Sequence, residues 1–232
     1  MIRSRDALIR SRTQLVNHAR GVVKSFGERL PKCSAASFHK RVAEHLPKDL
    51  APALEPIMEM IASLTARIRN YDREIEALAE RLYPETQLLR QVPGVGSLTA
   101  LAFVLTVEDP ERFDDSRTVG AYLGLVPEKD QSGDSDPQRR ISKRGDRMLR
   151  RLLVGSTHYL LGPFGEDSDL RRHGEKLAAR GGKKDAKKRA VVAVARKLSV
   201  LLHHLWMTGE RRTSLYATPV FCRRVSKASE RS

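Results

Sequence analysis

The chain opens with apolar residues that recur every seventh position between basic ones. They form two adjacent series: Leu8, Leu15 and Val22, and Ile9, Val16 and Val23. Because positions seven apart share one face of a helix, the pattern predicts a helix with a single apolar seam. Gly27 and Pro31 predict its end, and a second, polar helix is expected around residues 38–46.

A longer apolar pattern follows, with spacings of three and four in alternation. Its members are Leu54, Ile57, Ile61, Leu64, Ile68, Tyr71, Ile75, Leu78 and Leu82. This periodicity predicts a coiled-coil seam. Two partners satisfy it equally: the first helix folded back antiparallel, or the same helix of a second chain. We expect the coiled coil to support a homo-oligomer.

After Pro84 the pattern changes to shorter helical pieces separated by Gly and Pro. Amphipathic helices are predicted at residues 146–161 and 187–207, with a polar loop at 162–182 between them. No segment has the alternating pattern of strands, so the predicted fold is all-α. The predicted organisation is a helical coiled-coil linker region at 1–86, a helical domain at 87–210 and a basic, disordered tail at 211–232.

Composition adds a strong positive charge to this picture. The 232 residues contain 43 Lys and Arg against 28 Asp and Glu, which gives a formal net charge of +15. Such an excess favours a polyanionic partner. The two cysteines, Cys33 and Cys222, support neither a zinc site nor a disulfide framework. No uninterrupted apolar run reaches the roughly 18 residues of a membrane span, so we expect a soluble, cytoplasmic protein without a membrane partner.

The most specific local motif is VPGVGSLTA at residues 92–100. An apolar residue, Pro and a Gly-apolar-Gly turn before a helix are typical of a helix-hairpin-helix motif. Such a turn presents backbone amides at a helix N-terminus, where they can bind a DNA phosphate independently of sequence. The candidate DNA-binding residues are Gly94, Val95, Gly96 and Ser97. An ordinary glycine-rich turn between helices is the alternative.

A second motif is QSGD at residues 131–134, which is followed by a run of cations. The candidates for phosphate binding are Arg139, Arg140, Lys143, Arg144, Arg147 and Arg150, and Arg151 follows them. These side chains could also stabilise charge that develops during phosphoryl transfer. By residue type alone, a Ser-Gly pair is an ordinary turn, and no His or Asp at triad spacing accompanies it.

A third basic segment extends over residues 171–197 and contains eleven Lys and Arg against Glu175 and Asp185. Its candidate DNA-binding residues are Lys183, Lys184, Lys187 and Lys188. The one-sided charge favours binding to a nucleic-acid backbone, and a solvated helix face is the alternative. The histidines, including His203 and His204, lack Cys or carboxylate companions at ligand spacing, so we expect no metal site.

The order of these motifs resembles the C-terminal transposase domain of the insertion-sequence 110 family. The resemblance covers about residues 86–210, and residues 5–17 resemble the family's linking helix and coiled coil. It rests on VPGVG at 92–96, RF at 112–113, AYLGLVP at 121–127, QSG at 131–133, ISKRG at 141–145, LRRLL at 149–153 and AVARKL at 193–198.

This resemblance implies a chemical role for Ser132, which matches the serine that becomes covalently joined to DNA in the family. Ser135 departs from the family's glycine- and lysine-rich continuation, and Ser142 lies nearby, so both remain alternatives. The resemblance also implies a guide RNA that selects the DNA.

The family's proteins carry a further domain that resembles Holliday-junction resolvases and holds a metal at an Asp-Glu-Asp-Asp site. Nothing in this sequence corresponds to it. We therefore expect no cofactor bound by this chain, Mg²⁺ only in a missing or partner resolvase-like domain, and a truncated or split transposase in the bacterial cytoplasm, associated with the nucleoid. A non-catalytic helix-hairpin-helix protein and a basic RNA-binding protein are the competing interpretations.

Overall fold

A computed structural model of the chain describes residues 1–128, 140–180 and 184–210, with the side chain of Lys184 outside this description. Within these residues the secondary structure is helical, and the β structure is limited to an isolated bridge between Pro127 and Ile141. The all-α prediction is confirmed. The chain divides into two compact units, Met1–Leu78 and the part from Ala79 onward. The predicted boundaries at 86 and 210 stay predictions.

The first unit contains three α-helices and a short 3₁₀ turn. They are α1 (Ile2–Ser25), α2 (Phe38–Val42), the 3₁₀ turn Ala43–His45 and α3 (Ala51–Leu82), whose last residues belong to the second unit. The predicted helix at 38–46 is thus a single turn of α-helix followed by a 3₁₀ turn. Phe38 and Val42 of α2 are fully buried, and the Arg20 guanidinium of α1 lies over the Phe38 ring at 5.0 Å.

Helices α1 and α3 run antiparallel within the first unit. Arg5 forms an ion pair with Asp72, and Arg12 Nη1 donates to Thr65 Oγ1 at 3.3 Å. From Arg5 to Arg12 the chain advances seven residues along α1, and the contacted residue on α3 moves back seven, from Asp72 to Thr65. The shared buried cluster includes Val16, Ala19 and Val23 of α1 and Leu54, Met58 and Ile61 of α3. The structure thus has the antiparallel pairing within one chain, and the homo-oligomer stays a prediction.

The second unit is built around a central helix. Its elements are α4 (Glu85–Arg90), α5 (Ser97–Val107), the 3₁₀ turn Pro110–Arg112, α6 (Ser116–Tyr122), α7 (Arg147–Leu160), α8 (Asp169–Ala179) and α9 (Lys184–Thr208). Helices α4, α6, α7 and α8 all contact α9. The predicted helices at 146–161 and 187–207 are confirmed as α7 and α9, and the Asp146 carboxylate caps α7 by accepting from the Leu149 amide.

Helix α9 is long and apolar enough, over Asp185–Thr208, to cross a membrane by length and composition alone. The search for uninterrupted apolar runs in the sequence did not detect this helix, because isolated basic and polar residues interrupt its apolar stretch. Half of its most apolar window is buried inside the protein, including Val194, Leu198, Leu202 and Leu205. Burial against neighbouring helices accounts for this apolar surface.

The prediction of a loop at 162–182 is wrong over Asp169–Ala179, which is helix α8. The segment is polar because Gly174 is the one buried residue of α8 and the other residues of this helix are exposed or half-buried. The contact of α8 with α9 depends on this small residue. A Cβ atom at Gly174 would lie 2.6 Å from Leu161 Cδ2 and 2.9 Å from Val194 Cγ2. Gly174 therefore lets α8 pack closely on α9 although α8 lacks the periodic apolar stripe from which a helix is predicted.

His203 is a core residue, as expected from its lack of ligand-like companions. It is buried on α9, with Nδ1 2.8 Å from Ser116 Oγ and Nε2 2.8 Å from the Pro110 carbonyl oxygen. Since the carbonyl only accepts, Nε2 donates to it. The imidazole thereby joins α9 to α6 and to the 3₁₀ turn.

We predict that Ile61→Ala lowers the free energy of unfolding by about 2–5 kcal/mol, because it leaves a cavity in the α1–α3 core. The neighbouring Met60→Ala is the control: Met60 is 53% exposed, whereas Ile61 is fully buried. Met60→Ala should change stability by less than about 0.5 kcal/mol. Denaturant unfolding followed by circular dichroism measures both, and equal effects would contradict the observed seam.

Candidate nucleic-acid interface

The turn between α4 and α5 is tight and is held by backbone hydrogen bonds. The Val92 amide donates to the Leu89 carbonyl at 3.2 Å, and the Val95 amide donates to the Val92 carbonyl at 3.0 Å. Both valine side chains are buried. Of the predicted DNA-binding residues, Val95 thus has neither an exposed side chain nor a free amide. The helix-hairpin-helix assignment of this turn stays a prediction.

Gly94 is required by this turn for two reasons. Its φ of +81° lies in the left-handed region that side chains disfavour. A Cβ atom there would also lie 3.0 Å from both the Ser156 carbonyl oxygen and Tyr159 Cδ1 on α7. The absence of a side chain at residue 94 therefore lets the turn approach α7.

Gly96 differs from Gly94 because it is exposed and extended. It is the N-cap of α5, with φ of −89°, and a Cβ atom there would meet nothing within 4 Å. No side chain caps this helix end. The turn therefore presents the positive end of the α5 dipole toward open space at Gly96.

A cleft of about 570 Å³ lies between this turn and α7. The α4–α5 side contributes Arg90, Val92, Pro93, Gly94, Val95, Gly96 and Thr99. The α7 side contributes Arg151, Leu152, Gly155, Ser156 and Tyr159. The structure thus brings the predicted turn together with two arginines, two hydroxyl groups and an aromatic ring.

Sequence reasoning did not place Arg90, Thr99, Ser156 or Tyr159 at a site, and it named Arg151 only among the cations that follow the QSGD motif. One signal was available, because Arg151, Gly155 and Tyr159 follow at four-residue spacing on one face of α7. Arg90 also forms an ion pair with Glu80, at 3.4 Å between Nη1 and Oε1. Nothing in the local sequence shows that it faces α7.

The segments before and after residues 129–139 contact each other closely at Gly124 and Gly145, and we call this contact the glycine crossing. Gly124 and Gly145 have φ values of +67° and +84°. A Cβ atom at Gly124 would lie 2.0 Å from the Arg144 carbonyl oxygen, and one at Gly145 would lie 2.2 Å from the Tyr122 carbonyl oxygen. The Ser142 amide donates to the Val126 carbonyl at 2.9 Å. The backbone on both sides of this interval is therefore tightly joined.

Arg150 holds this crossing together. Its Nη1 donates to the carbonyl oxygens of Leu123 at 3.1 Å, Arg144 at 2.8 Å and Gly145 at 2.9 Å. The sequence predicts Arg150 as a phosphate contact, whereas in the structure its guanidinium binds three backbone carbonyls. Residue type alone could not distinguish a phosphate from a carbonyl as its acceptor.

Four other predicted DNA-binding cations beside this crossing are exposed: Arg140, Lys143, Arg144 and Arg147. In the part of the chain that the structure describes, none of their side chains forms an ion pair. Lys143 has a φ of +56°, which is uncommon for a residue with a side chain. Arg147 precedes Arg151 by one helical turn, so its basic charge lies on the face of α7 that leads to the cleft.

Three predicted residues lie outside the described residues: Ser132, Arg139 and Lys183. The same holds for the side chain of Lys184. On α9, Lys187 is exposed, and Lys188 Nζ lies 3.5 Å from the Asp185 carboxylate. Neither Lys187 nor Lys188 is among the residues that line the cleft.

The basic segment at 171–197 carries less free charge than its composition suggests. Arg171 Nη1 donates to the carbonyl oxygens of Leu160, Gly162 and Gly165, and Arg172 pairs with Asp167 and Asp169. Burial lowers the pKa of Lys197. The pKa of His173 is also lowered, mainly by burial and secondly by the positive charge of Lys197.

Carboxylate and imidazole side chains do not gather into a metal site in the described residues. No group of three His, Cys, Asp or Glu there could hold a metal ion. Cys33 is a half-buried free thiol.

Comparison with known proteins places these features in a family. Residues 86–161 match the family model described as Transposase IS116/IS110/IS902 family. The chain belongs to this transposase family. The match begins at α4 and ends just after α7, so this transposase segment contains the turn, the cleft and the glycine crossing.

Two relatives illustrate the similarity of this transposase chain. The transposase for insertion sequence element IS1111A of Coxiella burnetii is 35% identical over 172 residues, which are 69% of this chain and 46% of the relative. The transposase for IS1328 of Yersinia enterocolitica is 36% identical over 159 residues, which are 66% of this chain and 46% of the relative. The chain spans about half the length of these curated relatives.

Gly94→Ala should lower the free energy of unfolding by about 1–3 kcal/mol, because it forces a side chain into the left-handed region beside Tyr159. Gly96→Ala is the matched control, since an added methyl group meets open space, and it should change stability by less than about 0.5 kcal/mol. Urea unfolding distinguishes the two. A Gly94→Ala protein as stable as the parent would show that the turn does not need glycine.

Arg150→Ala should destabilise the fold by about 2–3 kcal/mol, because three backbone carbonyls lose their hydrogen bonds to a charged donor. Arg147→Ala, three residues earlier on the same helix, removes an exposed guanidinium and should leave the unfolding free energy within about 0.5 kcal/mol of the parent. The comparison uses the same urea titrations. Reversed effects would show that Arg150, not Arg147, is the dispensable side chain for folding.

Proposed function

We propose that this chain binds DNA and contributes a serine nucleophile, Ser132, to strand cleavage and transfer during transposition of an insertion sequence. The observation that supports this most directly is the match of residues 86–161 to the transposase family. This segment includes the interval that contains Ser132 and the backbone crossing on either side of it. A structured guide RNA, implied by the family resemblance, is part of the same proposal.

The binding role follows from the distribution of charge. Arg140, Lys143, Arg144 and Arg147 are exposed close to the glycine crossing, and α5 presents an N-terminus without a side-chain cap. Phosphate oxygens bind such guanidinium, ammonium and amide donors without reading bases. We therefore assign Gly96, Ser97 and these four cations to contacts with the nucleic-acid backbone.

The chemical role assigned to Ser132 is attack on a DNA phosphorus. A bond forms between Oγ and phosphorus, the bond to a DNA oxygen breaks, and the serine proton is transferred so that this leaving oxygen becomes a hydroxyl. A serine hydroxyl needs activation for such a step. Cations beside the crossing can stabilise the charge on the phosphoryl oxygens.

The family resemblance also implies Mg²⁺ at an acidic resolvase-like site. The described residues do not fit that ion, because they contain no group of three His, Cys, Asp or Glu side chains that could hold a metal. We therefore assign the acidic site to a resolvase-like domain outside the described residues, in a partner polypeptide or another part of the same protein.

Ser132→Ala should abolish covalent attachment to DNA while leaving DNA affinity nearly unchanged, because only the attacking oxygen is lost. The assay mixes the chain with a resolvase-like partner, Mg²⁺ and DNA that contains insertion-sequence ends, and then maps the adduct by mass spectrometry. Ser135→Ala and Ser142→Ala are the controls and should retain the adduct. An adduct peptide that contains another serine, or strand transfer by Ser132→Ala, would overturn this assignment.

A further inference from the structure

We infer that the cleft between the α4–α5 turn and α7 binds one unpaired nucleotide of a single-stranded nucleic acid, with its base against Tyr159. This inference rests on the proposed nucleic-acid binding and specifies what the cleft takes. It differs from a phosphate contact to a continuous duplex, in which the bases are stacked inside the helix and only phosphates and groove edges reach the protein.

The hydroxyl groups of two largely buried residues are available to a ligand in this cleft. Thr99 and Ser156 line it and are only 7% and 5% exposed. Within the described part of the chain neither hydroxyl has a protein hydrogen-bond partner, and neither oxygen is among the fully buried atoms without a partner, so both face the open cleft. A base or sugar inside the cleft offers donors and acceptors to both hydroxyls.

Tyr159 supplies an aromatic surface in the same place. Its side chain is 47% exposed, and no other aromatic ring of the described residues lies against it. Gly94 and Gly155, which also line the cleft, have no side chains that could cover the ring. Exposed aromatic rings beside cations are the elements that hold unpaired bases by stacking.

The remaining lining completes a site for a nucleotide. Arg90 and Arg151 border the cleft from opposite sides, where they can bind the phosphates that flank the base. The volume of about 570 Å³ lies within the range of small-ligand sites, roughly 300–1,000 Å³. One nucleotide, not an apolar small molecule, offers a polar edge to the hydroxyls and a flat face to the ring, with its phosphates next to the two arginines.

The test measures fluorescence anisotropy of the whole chain with labelled oligonucleotides of about 12 nucleotides, a length typical of single-strand sites. Single-stranded DNA, RNA of the same sequence and the DNA duplex are compared at one salt concentration. Tyr159→Leu should weaken binding of the single strand about tenfold, and Tyr159→Phe should weaken it less than about twofold, because stacking is retained. Duplex affinity should be nearly unchanged in both variants.

Phe164→Leu is the matched control, because Phe164 is 79% exposed and is not part of the cleft lining. It should leave all affinities unchanged. Thr99→Val is the second probe, since it removes a hydroxyl at constant shape, and it should also weaken the single strand selectively. Thermal unfolding of each variant verifies the fold.

Selective loss with the DNA or the RNA strand supports the inference, and the strand that binds more tightly identifies the source of the nucleotide. If Tyr159→Leu and Thr99→Val bind single strands like the parent, or weaken duplex and single strands equally, the inference is wrong. Duplex binding without single-strand binding would overturn it while the proposed function stands. Absence of binding to every oligonucleotide would overturn the proposed function as well.

Discussion

Burial of α9 is the constraint on which the second unit depends. Helices α6, α7 and α8 each pack against it, and close contacts at small residues bring them near. Gly120 of α6 lies beneath the aliphatic part of Arg196, and Gly174 of α8 lies against Val194. Because α7 is fixed on α9, its opposite face can form one wall of the cleft while α5 forms the other. The position of the cleft therefore follows from apolar packing, not from the charges beside it.

Arginine has two separate roles in this unit. Arg150 and Arg171 each donate to three backbone carbonyls, so their charges serve to fix irregular backbone at the ends of α7. Arg140, Arg144 and Arg147 are exposed without ion pairs in the described residues. The net charge of +15 therefore overstates the number of cations available to a nucleic acid.

Long helices with apolar periodicity, such as α3, α7 and α9, could be predicted from the sequence because burial of one face leaves a regular pattern. Helix α8 could not, since a single glycine makes its closest contact. From the sequence, α3 could pair with α1 or with the same helix of a second chain. The contacts of Arg5 with Asp72 and of Arg12 with Thr65 show that α3 packs antiparallel against α1. In the candidate site, the turn was recognisable from its glycines. The burial of Thr99 and Ser156 depends on how α5 meets α7, which no local pattern contains.

The central proposal is that four exposed cations between residues 140 and 147, which form no ion pair with other described residues, bind phosphates. The most direct measurement is the logarithmic dependence of duplex DNA affinity on salt between about 50 and 200 mM, for the parent and two arginine variants. Arg147→Ala should reduce the slope by about 0.9, because one phosphate contact and its counterion release are lost. Arg172→Ala should leave the slope unchanged, because Arg172 already pairs with Asp167 and Asp169. A flat salt dependence in the parent, or an unchanged slope in Arg147→Ala, would contradict the account.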